Sequence, residues 1–431
     1  MRGLILLAAV AMITLAPAIA QDKPTVLIDV GRPGDRAIPI GLPFPKGGAA
    51  ASQELYDVVR HDLELSGWFR VLDPNASLEP ATAGIRPGEF DMAAWRPSGA
   101  SVLAKTDLVD ADGKLRTEVH VYAVGGAETL GAKAFSGAPT SVRTLGHRVA
   151  DTIVFAVTGE HAFFDTRFAF VAKWTGNKEI WLVDADGEGR RQITRNGSIN
   201  LKPRWNATGT ALAFTSYQAG NPDLYVADFA QGGSRRVSKR PGINTGGAFS
   251  PKGDLIALAL SLGGDAEIWT IEPLAGREVA RLTASPGIDA SPCWSPDGRQ
   301  IAFVSERSGG PQIYVMNADG SNPHRVSFSG SHNTDPAWSP AGDRIAFVSR
   351  DSNFDVFTVG VDGQGMTRVT QGMGDNEDPS FSPDGRYVAF SSTRSGGAHI
   401  WIASVDGRHQ VQVTRGEGGY TNPNWSGHLA W

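Results

Sequence analysis

Cysteine is nearly missing: Cys293 is the single one in 431 residues. That excludes an internal disulfide and any zinc or iron–sulfur centre built from several thiolates, and the lone thiol reads as a small buried hydrophobe. A surplus of positive charge is missing too. Forty Lys and Arg against 45 Asp and Glu leave a net charge of -5, so no general electrostatic pull toward nucleic acid or anionic lipid exists. Catalytic signatures are also lacking: the chain has no G-x-S-x-G elbow, no H-E-x-x-H, no G-x-x-x-x-G-K-[ST] phosphate loop and no dinucleotide fingerprint after a strand. The nine histidines are scattered and read as surface or turn residues. No catalytic residue, cofactor or metal is therefore expected.

Long apolar runs are confined to the amino terminus, where residues 1–20 read MRGLILLAAVAMITLAPAIA. The apolar run 4–16 is too short for a membrane-spanning helix, which needs about 20 residues. Ala18-Ile19-Ala20 supplies an A-x-A cleavage site, so 1–20 reads as a secretory signal peptide. Gln21 follows it, which offers no thiol for lipid attachment. The expectation is an exported protein without membrane insertion.

What is present in excess is glycine, 52 residues, together with 26 prolines, a composition of many tight turns. The turns are periodic. An aromatic residue recurs at Trp205, Phe249, Trp294, Trp338, Phe381 and Trp425, in steps of 44, 45, 44, 43 and 44. Each unit holds four short alternating runs separated by Ser-Pro-Asp-Gly, Gly-Gly or Asp-Gly signals, which makes four antiparallel strands, A to D, and one propeller blade. The first unit lacks a strand A, whereas Asn424-Trp425-Ser426 forms a strand A with almost nothing after it. The two fragments complete each other, predicting a six-bladed β-propeller over 164–431 closed by the carboxyl-terminal strand.

Residues 21–163 lack the repeat and predict an α/β domain. Helices are expected at 53–65, capped by Ser52, and at 140–157, ended by Gly159. Strands are expected at 102–106, 117–124 and 130–135, with a turn at Asp112-Gly113. The Asp184-Ala185-Asp186-Gly187 segment starts like a calcium loop but lacks the closing glutamate, and reads as a turn between strands C and D.

A propeller without catalytic groups works through its faces. Five positions before each aromatic anchor stand Asn200, Asn244, Asp289, Asn333 and Asn376, with Tyr420 in the last unit. Such residues stabilise a turn; as a ring around the channel mouth they also offer polar groups to a partner. Thr245, Thr334, Asp335, Glu377 and Asp378 lie beside them and make the rim partly acidic.

An export signal, a small α/β domain and six repeats of the P-x-[WF]-S-P-D-G-x-x-I-A-F type, the last blade split, resemble the TolB family of periplasmic proteins. Asp29-Val30-Gly31, Pro39-Ile40-Gly41, Pro43-Phe44, Ser66-Gly67-Trp68-Phe69 and Ala94-Trp95 look like that family's amino-terminal domain. The resemblance implies a non-enzymatic monomer of the Tol-Pal envelope system, with no nucleic-acid partner and other outer-membrane proteins as further partners. It implies that the rim residues named above bind the lipoprotein Pal. It also implies that the segment at 21–30, with Asp22, Lys23, Thr25, Val26, Leu27 and Ile28, binds TolA. Ala290 and Ser291 depart from the family's threonine and acidic residue, and Pro24 interrupts any strand the amino-terminal segment forms. The competing reading is an exported propeller enzyme acting on carbohydrate or peptide.

Overall fold

The computed structural model describes residues 36–429 apart from 76–78, 81, 127 and 263. The amino-terminal part runs β1 (Ile38–Gly41), α1 (Ser52–Leu65), β2 (Phe69–Val71), β3 (Val102–Thr106), β4 (Val109–Ala111), β5 (Lys114–Ala123), β6 (Glu128–Gly137) and α2 (Val142–Thr158). Its sheet is ordered β2-β1-β3-β5-β4, with β6 also paired to β5. Strand β1 is parallel to both neighbours and the remaining pairs are antiparallel. Leu55, Val59 and Leu63 of α1 and Leu145, Val149 and Ile153 of α2 recur at helical spacing and are buried in one core with β3 and β5.

Three details differ from the sequence expectation. Ser52 lies inside the first turn of α1 rather than capping it: the N-cap is Ala51, and the Ser52 hydroxyl is buried without a partner. The Asp112-Gly113 turn joins β4 to β5, and β4, like β1 and β2, is too short to show a period of two. Three of the nine histidines, His120, His147 and His399, are buried rather than on the surface.

From Arg167 onward the chain forms six four-stranded sheets. In blade 1 strand A is Thr421–Trp425, followed in the sheet by B (Arg167–Ala172), C (Glu179–Asp184) and D (Arg191–Gln192), so the two ends of the propeller meet in one sheet. Blades 2 to 6 begin with strands A at Asn200–Trp205, Asn244–Phe249, Asp289–Trp294, Asn333–Trp338 and Asn376–Phe381. Strands B are largely apolar on both faces because each blade is covered by a neighbour on either side; Ile256–Leu260, strand B of blade 3, is buried at every position. The Asp-Gly pairs of the C–D turns serve this stacking. A Cβ on Gly187, Gly320 or Gly407 would stand 2.3 to 2.5 Å from a carbonyl oxygen of the preceding blade, at Val413, Leu282 and Val369.

The two parts share a core. Phe163 meets Tyr387 and Trp425 edge-on at 5.0 and 5.1 Å. The Tyr387 hydroxyl donates to the Ser66 carbonyl at 2.5 Å, and the His409 ring meets the Leu65 carbonyl at 3.2 Å. Helix α1 is thus packed by its inner face against its own domain and blades 1 and 6, while Gln53, Glu54, Asp57, Arg60 and Glu64 leave its outer face exposed.

Candidate functional site

Each strand A carries the same irregularity. The register to strand B shifts between its second and fifth residues in blades 2 to 6, at Leu201/Arg204, Thr245/Ala248, Ala290/Cys293, Thr334/Ala337 and Glu377/Ser380, and between the first and fourth of the shorter strand in blade 1, at Thr421/Asn424. The residue just after the first member of each pair sits in the left-handed region: Lys202 at φ 50, Gly246 at 71, Ser291 at 51, Asp335 at 52, Asp378 at 57 and Asn422 at 50. Asp, Asn and Gly tolerate this region best, which accounts for four of the six. Pro203, Pro292, Pro336, Pro379 and Pro423 follow in five blades, where the missing N–H leaves no donor unpaired in the bulge. Five of these six residues carry a side chain, and bonds among them cross from blade to blade. Lys202 reaches across the ring from blade 2 to Asp335 in blade 5 at 2.9 Å, passing Ser291 at 3.4 Å. Asn422 donates to Asp378 at 2.8 Å.

The electrostatics follow from this geometry. Asp335 raises the Lys202 ammonium further above its ordinary value. Burial opposes ionisation of Asp335, but Lys202 prevails and holds it low. Asp378 is pushed up by burial and then by the charge of Asp335. Glu377, at the channel mouth, is pushed up to about 7 by the protein around it, then by Asp378, Asp375 and Asp335. The mouth is therefore acidic on blades 5 and 6. On blades 2 to 4 the same face exposes Ile199, Ile243 and Ile288, each just before a strand A, with Tyr217 and Leu262 from the B–C loops. An apolar arc thus faces an acidic one across the channel.

The first residues of the strands play a different part from the one expected of an open ring. Asn200, Asn244, Asp289, Asn333 and Asn376 are all 0% exposed. Each ties its strand to the preceding blade. Asn200 donates to Glu179 at 2.9 Å, Asn333 to Gln312 at 2.7 Å and Asn376 to Asp355 at 3.0 Å, while Asn244 accepts from Ser238. Asp289 faces Glu267 of the preceding blade and also accepts from Ser285 in the connecting segment at 2.9 Å and from Arg307 of its own blade at 3.0 Å. Tyr420 replaces them at the sixth joint by stacking on His399 at 5.6 Å. These side chains are joints between blades. Thr245, Thr334, Asp335, Glu377 and Asp378 remain accessible from the mouth. The sequence reading missed Lys202, Asn422 and the apolar arc; a proline two residues before the aromatic anchor, in five of the six units, was the signal for the bulges.

Cys293 is only partly buried. Its sulfur accepts from the Trp338 amide of the next blade at 3.3 Å, the place that Ser380 and Asn424 fill toward Trp425 and Trp205 at 2.9 and 2.8 Å. Burial pushes its thiol up, which keeps it protonated and unreactive. The segment at 21–30, with Asp22, Lys23, Thr25, Val26, Leu27 and Ile28, lies outside the described residues.

Comparison with known proteins agrees with this architecture. The model of the TolB beta propeller domain matches residues 155–429, and that of the TolB amino-terminal domain matches 26–130. The chain belongs to the TolB family. The Tol-Pal system protein TolB of Geobacter sulfurreducens is 40% identical over 211 residues, 48% of each chain. That of Geobacter metallireducens is 40% identical over 203 residues, 46% of this chain and 47% of the relative. The chain thus spans about half the length of the curated relatives it matches. The crystal structure of TolB from Acinetobacter baumannii superposes with a TM-score of 0.82 at 25% identity, covering 92% of this chain and 98% of that one. Among the described residues no helix is long and apolar enough to cross a membrane.

Proposed function

We propose that this chain is a periplasmic, non-enzymatic docking protein of the Tol-Pal system, supporting outer-membrane integrity and constriction at cell division. It binds Pal on the channel-mouth face of the propeller and TolA through the segment at 21–30. Family membership supports the system. The observation that carries the docking face is the division of one channel mouth into an apolar arc of Ile199, Ile243 and Ile288 and an acidic arc of Glu377 and Asp378. Apolar anchors beside charge-assisted hydrogen bonds are what a specific protein interface uses. Because Asn200, Asn244, Asp289, Asn333 and Asn376 are sealed in the joints, they shape this face, and Thr245, Thr334, Asp335, Glu377 and Asp378 touch the partner.

Capture on the tagged protein from envelope extract of its own bacterium tests the system. Pal and TolA should both be retained, and deletion of 21–30 should lose TolA and keep Pal. Retention of neither, with turnover of a polysaccharide by the purified protein, would overturn the reading.

A further inference from the structure

A buried ion cluster on the far side of the docking face joins the two parts of the protein. His147 of α2 is 5% exposed. Its Nδ1 lies 2.7 Å from Oδ2 of Asp62 on α1, and its Nε2 lies 3.8 Å from Oδ2 of Asp186 in the blade 1 C–D turn. Arg143, one turn earlier on α2, is bonded to the same Asp186 carboxylate. The His61 ring meets the Asp186 carbonyl at 3.1 Å, and the Glu188 amide donates to Asp186 Oδ1 at 3.1 Å. Beyond these, Asp184 is held by Arg167 at 2.7 Å, and Asp165 lines the same small cavity.

One ring nitrogen faces each carboxylate, and only the imidazolium donates from both. With His147 protonated, two carboxylates balance it and Arg143. Without the proton a buried negative charge is left over, and Asp62 Oδ1 already has no partner. Ligand atoms of Asp62, His147 and Asp186 lie within 4.8 Å of one another, but the two carboxylates meet opposite nitrogens of the ring and Arg143 already occupies Asp186, so a metal ion fits poorly.

We infer that His147 is a proton-operated latch between the amino-terminal domain and the propeller: protonated, it holds Asp62 and Asp186 together, and deprotonated, it loosens α1 and α2 from blade 1. Burial pulls the imidazole down, but Asp62 more than offsets this and leaves it raised. Asp62 is itself pushed up by burial. Both directions mean that the folded cluster holds protons more tightly than the unfolded chain. Its contribution is complete below the ordinary imidazole value of about 6.5 and is lost as the pH rises through the raised one. His409, elsewhere in the same interface, is lowered by burial and has the opposite dependence, so the comparison must be made against a His147 variant.

Amide hydrogen exchange of the full chain at pH 6 and pH 9, corrected for intrinsic rates, tests the latch. Protection of amides 143–150 should fall about tenfold for each unit by which docking raises the imidazole, while amides 256–260 of blade 3 keep theirs. In His147→Gln and in Asp186→Asn that selective loss should vanish. An equal loss in the variants, or none in the wild type, would overturn the inference. Should neither variant fold, an NMR titration of His147 in the wild type decides it: a midpoint above 6.5 supports the latch and one at or below 6.5 refutes it.

Discussion

Asp289 is the one carboxylate among five joint residues that are otherwise asparagine, and it faces the Glu267 carboxylate across its joint. Burial raises Glu267, and Asp289 adds to that shift. A raised carboxyl contributes stability that is present below its ordinary value of about 4.3 and lost as the pH rises through the folded one. Asp289→Asn would supply the amide that Asn376 already uses beside Arg394, which donates to it at 2.7 Å. The variant should be more stable than wild type by about 1 kcal/mol at pH 7.5, with the difference gone below pH 4, as measured by urea unfolding. A variant less stable at pH 7.5 would mean that the Arg307 ion pair outweighs the repulsion. At this scale the sequence was half legible. An Asx at fixed spacing announced a repeated role, but whether a side chain faces a joint or a channel depends on whether it stands before the bulge or within it, and that is set by register. The chemistry of His147 was not legible at all, because its partners lie 85 residues before it and 39 after it in a different part of the fold.

Strands and helices were most legible where their period was long enough. The blades announced themselves through six copies of one pattern, and α2 through its apolar stripe and Gly159, whose φ of 77 ends the helix. Strands β1, β2 and β4, of four, three and three residues, carry no period; β1 and β2 are fixed instead by pairing with distant chain. The closing strand is the element on which most depends. Trp425 is 5% exposed, packs on Phe168 at 4.6 Å and donates from Nε1 to Thr166 at 2.7 Å. Trp425→Ala should cost about 3–5 kcal/mol. Truncation after Gly416 should do more, exposing strand B of blade 1 as an open edge. Chemical denaturation and sedimentation check both; a truncated chain with an unchanged midpoint that stays monomeric would contradict closure by this strand.

In the whole molecule, a rigid ring presents one face whose charge is adjustable near neutral pH. Glu377, poised at about 7, should ionise fully when a cationic group docks beside it. Partner binding at pH 7 should therefore release protons, detectable as a dependence of the calorimetric enthalpy on the buffer's ionisation heat, and affinity should rise from pH 6 to pH 8. Glu377→Gln should abolish both effects. The same calorimeter tests the central claim most directly, by titrating the soluble domain of Pal into wild type, into the double variant Glu377→Gln with Asp378→Asn, and into Asp297→Asn on the opposite face. Hydrogen bonds to charged groups contribute about 1.5–3 kcal/mol each, so the double variant should bind more than tenfold more weakly, with Asp297→Asn indistinguishable from wild type. Unchanged affinity in the double variant, or a loss confined to Asp297→Asn, would contradict docking at the channel mouth.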